Sequence, residues 1–330
     1  MKAAIVERHG EAPVLREREA PVASEGQVVV RVSAAPIVPL DLLCASGRSY
    51  FGEPRLPYVP GVQGVGFLDD PDASGSPVWF PTSAGMLPGD GSLAELCAVS
   101  ASELVPLPPG ADATVVAALG LSSVAAWMAL VWRGEMQPGE QVLVLGAGGM
   151  VGQVALQVAR LRGARRVVAA CRSAAAQDRA RRVGADAVVP VADSDDAASL
   201  AARLLEACDG PVDLVLDPLF GVPAAAALRT LRQHGRLVNL GDSAGATAPF
   251  DSSTLRSRSL RVLGYTNNEI TGQQRTEALL NVVELASSGH LHVEFERVPF
   301  EEAPEAWSRQ ASGGARRQVL EVGAGRSADG

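Results

Sequence analysis

Residues 142–152 read VLVLGAGGMVG, an apolar run that ends in clustered glycines and passes directly into the helix-forming stretch 153–160. Ala147, Gly149 and Gly152 form the spacing A-x-G-x-x-G, with Met150 and Val151 opening the helix. The chemistry such a spacing serves is phosphate binding. A glycine at 149 lets the main chain approach a pyrophosphate, a glycine at 152 lets the helix pack closely on the strand, and free N–H groups at the helix start receive the negative charge. A second strand-like run, Arg166 to Cys171, arrives where a βαβ unit needs it. It ends in Cys171, Arg172 and Ser173, with no carboxylate. An acidic residue there binds the ribose hydroxyls, whereas an arginine binds a 2′-phosphate. Arg172, helped by Ser173, therefore predicts NADPH rather than NADH.

A second motif points to different chemistry. Residues 241–245, GDSAG, fit the G-x-S-x-G elbow of a serine hydrolase and follow a strand. An elbow must open directly into a helix. Ala-Thr-Ala-Pro-Phe follows instead, which is poor helix material, so the dinucleotide reading is preferred.

These residues need elements to hold them. From 142 onward, strand candidates alternate with Ala- and Leu-rich helical runs: 142–145, 166–170, 187–189, 214–216, 237–240 and 261–264. Six such strands predict an α/β fold with a doubly wound parallel Rossmann sheet. Asn239 and Gly241 would then end a strand at its carboxyl edge, where ligands of such sheets bind. Up to about residue 112, short β-like runs (3–6, 28–32, 77–80, 94–99) broken by Gly and Pro predict a largely antiparallel β domain. A helix at 275–287 and β-like runs at 292–299 and 318–322 are expected to fold back onto it. The expected division is 1–112 with 265–330 as one domain and 113–264 as the dinucleotide domain.

Composition narrows the function classes. With 47% hydrophobic and 20% charged residues the chain is ordinary globular protein, and only the closing Gly-Ala-Gly-Arg-Ser-Ala-Asp-Gly reads as disordered. A net charge of -8 argues against a nucleic-acid partner, and Arg179, Arg181 and Arg182 read as a solvated helix face. Glu7, Arg8 and His9 interrupt the apolar start, so a cytoplasmic protein is expected. Residues 113–132 carry no charge and are long enough to span a bilayer. Gly120, Ser122 and Ser123 interrupt them, which predicts a kinked helix or buried helix pair and no membrane partner. Cys44, Cys97, Cys171 and Cys208 are too scattered for a metal lobe and read as buried residues or reactive thiols.

Taken with MKAAIVERHGEAP, VVVRVSAAPIVPLDLLCASG, LPYVPGVQGVG, LGLSSVAAWMAL, RRVGADAVV, VDLVLDPLFG and LVNLGDSAG, the chain resembles the medium-chain dehydrogenase/reductase superfamily. Within it, the chain is similar to the zinc-independent quinone oxidoreductase (zeta-crystallin-like) branch. The resemblance implies that the β domain is GroES-like. Zinc members carry a Gly-His-Glu motif and a cysteine ligand; here the matching position is Gly61-Val62-Gln63, so no metal site is expected. Without a Lewis acid, hydride transfer suits acceptors that spread the resulting charge. The expected reaction is NADPH-dependent reduction of a quinone or of an α,β-unsaturated carbonyl. Reduction of an enoyl biosynthetic intermediate, or a weakly catalytic NADPH-binding scaffold, are the alternatives.

The resemblance also implies site residues. Tyr58 stands at the tyrosine of LPYxPG, and Tyr50 follows the Ser46-Gly47 turn; either hydroxyl would donate to a developing oxyanion. Ser122 and Ser123 match a helix end beside the cofactor, and Asn267 and Arg317 are further cofactor candidates. Val38-Pro39 replaces the branch's Asn-Pro, and Ala176 stands where many relatives place a lysine for the cofactor phosphate. Asp41 is expected to be structural. Phe51, Trp79, Leu87 and Tyr265 are expected to line the substrate pocket, and a homodimer is the expected assembly.

Overall fold

Strands 141–145 and 166–171 are built from largely apolar runs buried on both faces, as inner strands of a parallel sheet must be, while the edge strand 187–190 is half-buried. The computed structural model, which describes residues 1–69, 75–313 and 316–323, sets six strands in one sheet. Their order is Ala187–Pro190, Arg166–Cys171, Gln141–Leu145, Val212–Asp217, Leu231–Asn239 and Arg261–Gly264. Every neighbouring pair is parallel. Helices Met150–Leu161, Ala174–Arg182, Ala197–Ala207 and Gly221–Leu228 make the crossovers. The direction of winding reverses between Gln141–Leu145 and Val212–Asp217, and the carboxyl ends of those two strands are the topological switch point. This is the doubly wound Rossmann arrangement.

A separate sheet of seven strands is mainly antiparallel. Its centre is the long strand Gln27–Pro36, which pairs with Gln63–Leu68, Leu96–Ser100 and the tail strand Arg317–Glu321. Ile37, Val59, Phe80, Leu93 and Leu320 fill the core over it.

The chain divides into two compact units, Met1–Leu121 with Glu294–Gly330, and Ser122–Val293. These limits differ from 112 and 264 for two physical reasons. Helix Ala113–Met128 is broken at Gly120 (φ 32°, ψ −133°), so its first turns belong to one unit and the rest to the other. Helix Gly272–Ser287 stays with the second unit, because Gln157 bonds both the His292 carbonyl (2.8 Å) and the His292 N–H (2.8 Å) just beyond it. Among the described residues, Ala113–Arg133 is the helical stretch long and apolar enough to cross a membrane, and it is mostly buried inside the fold. The disorder expected of the closing residues lies outside the described ones.

Candidate active site

The turn after Gln141–Leu145 is dictated by its glycines. Gly146 takes a left-handed conformation (φ 60°), and the Gly149 N–H closes the turn on the Gly146 carbonyl at 3.0 Å. Ala147 is buried, its N–H bonded to the Ala170 carbonyl of the next strand (3.2 Å). A Cβ on Gly152 would overlap Ala147 Cα and lie 2.7 Å from the Gly146 oxygen, so the helix reaches this depth only because residue 152 is glycine. Gly149 differs. A Cβ there would meet only the Gly146 oxygen, at 3.5 Å. The fold does not demand glycine at 149, and the open backbone is what a closely approaching pyrophosphate needs.

Gly149 is also the N-cap of Met150–Leu161, and no side chain caps that helix. The N–H groups of Met150, Val151 and Gly152 precede the first intrahelical donor, Gln153, which bonds the Gly149 carbonyl at 2.9 Å. The residues present therefore fit a dinucleotide phosphate.

Around the turn, Ser173 caps helix Ala174–Arg182 by accepting the Ala176 N–H (3.2 Å). Arg172 extends into solvent, 3.6 Å from Asp193. Arg181 and Arg182 are exposed as expected, but Arg179 is buried and donates Nε to the Gly148 carbonyl at 3.1 Å. Sequence reasoning missed it, although Ala176, Arg179, Ala180 and Val183 share one helical face and only Arg179 among them is polar. Burial pushes the Cys171 thiol up to about 11, against the Gly148 N–H and Arg179. Burial does the same to Cys44, Cys97 and Cys208, so the cysteines are packed thiols rather than reactive ones.

The neighbouring loops meet the turn at the switch point. Pro218 and Leu219 lie against Gly146, and Gly241 approaches Pro218 so closely that a Cβ would sit 2.7 Å from the Pro218 oxygen. The Asn239 amide is engaged within the protein, donating to Asp217 Oδ2 (3.0 Å) and the Gly241 carbonyl (2.7 Å). Burial raises the Asp217 carboxyl, which in turn accepts the Leu219 and Phe220 N–H groups and shapes that loop. After the last strand, Asn267 accepts the hydroxyl of buried Tyr265 (2.7 Å). Ser122 is half-buried and Ser123 fully buried in the second stretch of the broken helix. No helix opens from Gly241–Gly245, the next beginning at Ser252, so the geometry of a hydrolase elbow is not formed.

In the first unit, Tyr50 is 78% exposed and stacks on Phe51 at 4.2 Å. Tyr58 is buried, and its hydroxyl has no hydrogen-bond partner among the described residues. A Cβ on Gly85 would lie 3.0 Å from that hydroxyl. Burial, then the charge of Asp41, drives the Tyr58 hydroxyl well above the usual phenol range. Asp41 is wholly buried and accepts the N–H groups of Val38 (2.8 Å) and Val62 (2.9 Å), fastening helix Pro39–Ala45 to the 61–62 loop. Burial raises its carboxyl to about 6 even though Val38, Val62 and Arg317 favour the charge. Arg317 is buried in the same unit and donates to the Ala118 carbonyl at 3.4 Å.

Gln63, at the position resembling the glutamate of Gly-His-Glu, is fully buried. Its Oε1 accepts the Leu121 N–H (2.6 Å) and Trp79 Nε1 (3.3 Å) at the break in the helix. Trp79 and Tyr265 are thus core residues rather than pocket lining, while Leu87 is exposed. Among the described residues no three His, Cys, Asp or Glu side chains converge to hold a metal.

The comparisons with known proteins agree with this arrangement. A family described as zinc-binding dehydrogenase matches residues 150–284. Quinone oxidoreductase from Lama guanicoe is 28% identical over 84% of each chain, and an alcohol dehydrogenase from Geobacillus stearothermophilus is 27% identical over 97% of this chain and 99% of its own. The solved quinone oxidoreductase from Thermus thermophilus, also described in complex with NADPH, is 30% identical; the match covers 98% of this chain and 100% of that one, with a TM-score of 0.78. The chain belongs to the medium-chain dehydrogenase/reductase superfamily, in its quinone oxidoreductase-like branch. It is an NAD(P)-dependent oxidoreductase of quinone oxidoreductase type, acting on a small molecule.

Proposed function

We propose that the chain is a zinc-independent, NADPH-dependent reductase of quinones or of activated C=C bonds. The observation that carries this reading is the bare, uncapped glycine turn beside a strand end that offers Arg172 and no carboxylate. When bound, NADPH supplies the hydride. The N–H groups of Met150, Val151 and Gly152 hold the pyrophosphate, and Arg172 with Ser173 recognises the 2′-phosphate. Ser122, Gly241 and Asn267 complete the cofactor contacts; Ser123 is fully buried and makes none, while Asn239 and Arg317 keep their neighbouring backbone in place.

Metal-free chemistry is supported by Gln63, whose carbonyl oxygen is already committed to Leu121 and Trp79. A phenolate or enolate product spreads its charge, so one hydroxyl donor and solvent suffice. Tyr50 takes that role because its hydroxyl is open, whereas Tyr58 lies in the core. The homodimer forms by pairing of the sheet edge at Arg261–Gly264, where Val262 is 40% exposed.

The test is consumption of NADPH and of NADH with a benzoquinone, phenanthrenequinone, enones and enoyl thioesters, a chelator being present throughout. NADPH is expected to support turnover with at least one acceptor, and the preferred acceptor separates quinone from enoyl reduction. Tyr50→Phe is expected to lower kcat about tenfold, a modest loss because solvent also donates. Tyr58→Phe is expected to keep kcat and gain about 1 kcal/mol of stability, since it removes an unpartnered buried hydroxyl. Activity lost to the chelator would contradict the metal-free reading, and a large kcat loss confined to Tyr58→Phe would move the donor role to Tyr58.

A further inference from the structure

Arg179 is 8% exposed, and among the described residues no carboxylate pairs with it. Its side chain makes one hydrogen bond, from Nε to the Gly148 carbonyl inside the glycine turn, a carbonyl that also accepts Gln153 Nε2 at 3.2 Å. A guanidinium held in the interior without a counter-ion is costly, and proteins ordinarily pair such a charge or bring an anion to it. The place where this charge is held is specific. Helix Ala174–Arg182 is seated against the turn, a Cβ on Gly148 falling 2.7 Å from Ala176 Cα, and Arg179 acts electrostatically on Cys171 at the end of the second strand. Ala176, one helical turn earlier, carries no charge. Arg172 and Arg181, exposed cations nearby, already have Asp193 and Asp178 beside them.

Resting on the reading that this turn holds a phosphate-bearing dinucleotide, we propose that Arg179 is the buried counter-charge of the site. It is a positioning residue: it fixes the Gly148 carbonyl, and its charge favours the cofactor's phosphates from within the protein. A positive group at the turn strengthens phosphate binding whether or not a 2′-phosphate is present, so both NADPH and NADH depend on it.

The experiment compares Arg179→Gln, Arg179→Lys and Arg172→Gln with the wild-type protein. Glutamine can still donate to the Gly148 carbonyl but carries no charge; lysine keeps the charge. Dissociation constants for NADPH and NADH are measured by fluorescence titration across a salt series, together with the thermal unfolding midpoint. Arg179→Gln is expected to weaken both dinucleotides at least about tenfold and to flatten the dependence of log Kd on log salt. Its unfolding midpoint should equal or exceed that of wild type, because an unpaired buried charge has gone. Arg179→Lys should stay within about threefold of wild type, and Arg172→Gln should weaken NADPH while sparing NADH.

Wild-type affinity in Arg179→Gln, with the wild type binding normally, overturns this inference alone. So do equal losses in the Gln and Lys variants with lowered midpoints, which would mark a packing role. Loss of both dinucleotides in Arg172→Gln, a surface change that leaves folding intact, also overturns it. A wild-type protein that binds neither dinucleotide overturns the functional reading and this inference with it.

Discussion

Replacing Gly152 with alanine is expected to cost about 3 kcal/mol of stability or more, because the new methyl group has only backbone to displace. It would overlap Ala147 Cα and stand 2.8 Å from the Ala147 carbonyl carbon, and the strand carrying that turn is one of the two central strands of the six-stranded parallel sheet. Neither side can yield without moving helix or strand. Valine at 152 should leave no folded second unit. Gly149→Ala provides the contrast. Its φ of −79° and ψ of 171° suit any residue, and the added Cβ has room. It should cost less than about 1 kcal/mol, mostly through poorer N-capping. Its effect falls on the ligand: a methyl group where the backbone must approach a pyrophosphate is expected to raise the dinucleotide Kd at least about tenfold. Denaturant unfolding and dinucleotide titration of the two variants check the pair. Equal stability losses, or unchanged affinity in Gly149→Ala, would show that the turn is only a packing feature.

The second large effect is expected at Gly120. Its backbone lies at φ 32°, ψ −133°, where a Cβ is strained, and that Cβ would fall on the Gln63 side-chain oxygen. Alanine there displaces an acceptor that serves the Leu121 N–H and the Trp79 indole in a fully buried place. Left unsatisfied, each donor costs about 1–3 kcal/mol, so Gly120→Ala should lose about 4 kcal/mol in all. Gln63→Ala removes the obstacle along with the acceptor. The double variant should therefore be markedly more stable than the two single losses added together. Strict additivity in thermal or urea unfolding would show that the two residues do not oppose each other as the structure indicates.

The parallel sheet was legible because its inner strands are buried on both faces and so appear as continuous apolar runs, Val142 to Leu145 most plainly. Gln63–Leu68 escaped notice because Gly64 and Gly66 dilute its strand character. Both glycines are forced by neighbours: a Cβ on Gly64 would lie 2.7 Å from Phe80 Cζ, and one on Gly66 would overlap the Arg31 carbonyl. Leu231–Asn239 looked short because Arg232, Gln233, His234 and Arg236 interrupt its apolar pattern. Arg236 is nonetheless buried, paired with Glu140 through two bonds of 2.7 and 2.8 Å.

Site residues followed the same logic. The positions whose role is carried by backbone, Ala147 to Gly152, could be read from spacing alone. The environment of a side chain could not. Trp79 and Tyr265 are aromatic residues suited equally to a pocket or a core, and only packing decided between them. Arg179 reads as part of a charged helix face because Arg181 and Arg182 stand beside it in the sequence.

A turn at Gly146–Gly152 that holds a reduced nicotinamide dinucleotide bearing a 2′-phosphate must distinguish NADPH from NADH. The decisive measurement is titration of the wild-type protein with NADPH and with NADH, in the presence of a chelator. Saturable binding with NADPH preferred at least about tenfold, a difference of about 1.4 kcal/mol, is the expected result. Equal or tighter binding of NADH would contradict the assignment of Arg172 and Ser173, and binding of neither would contradict the dinucleotide site itself.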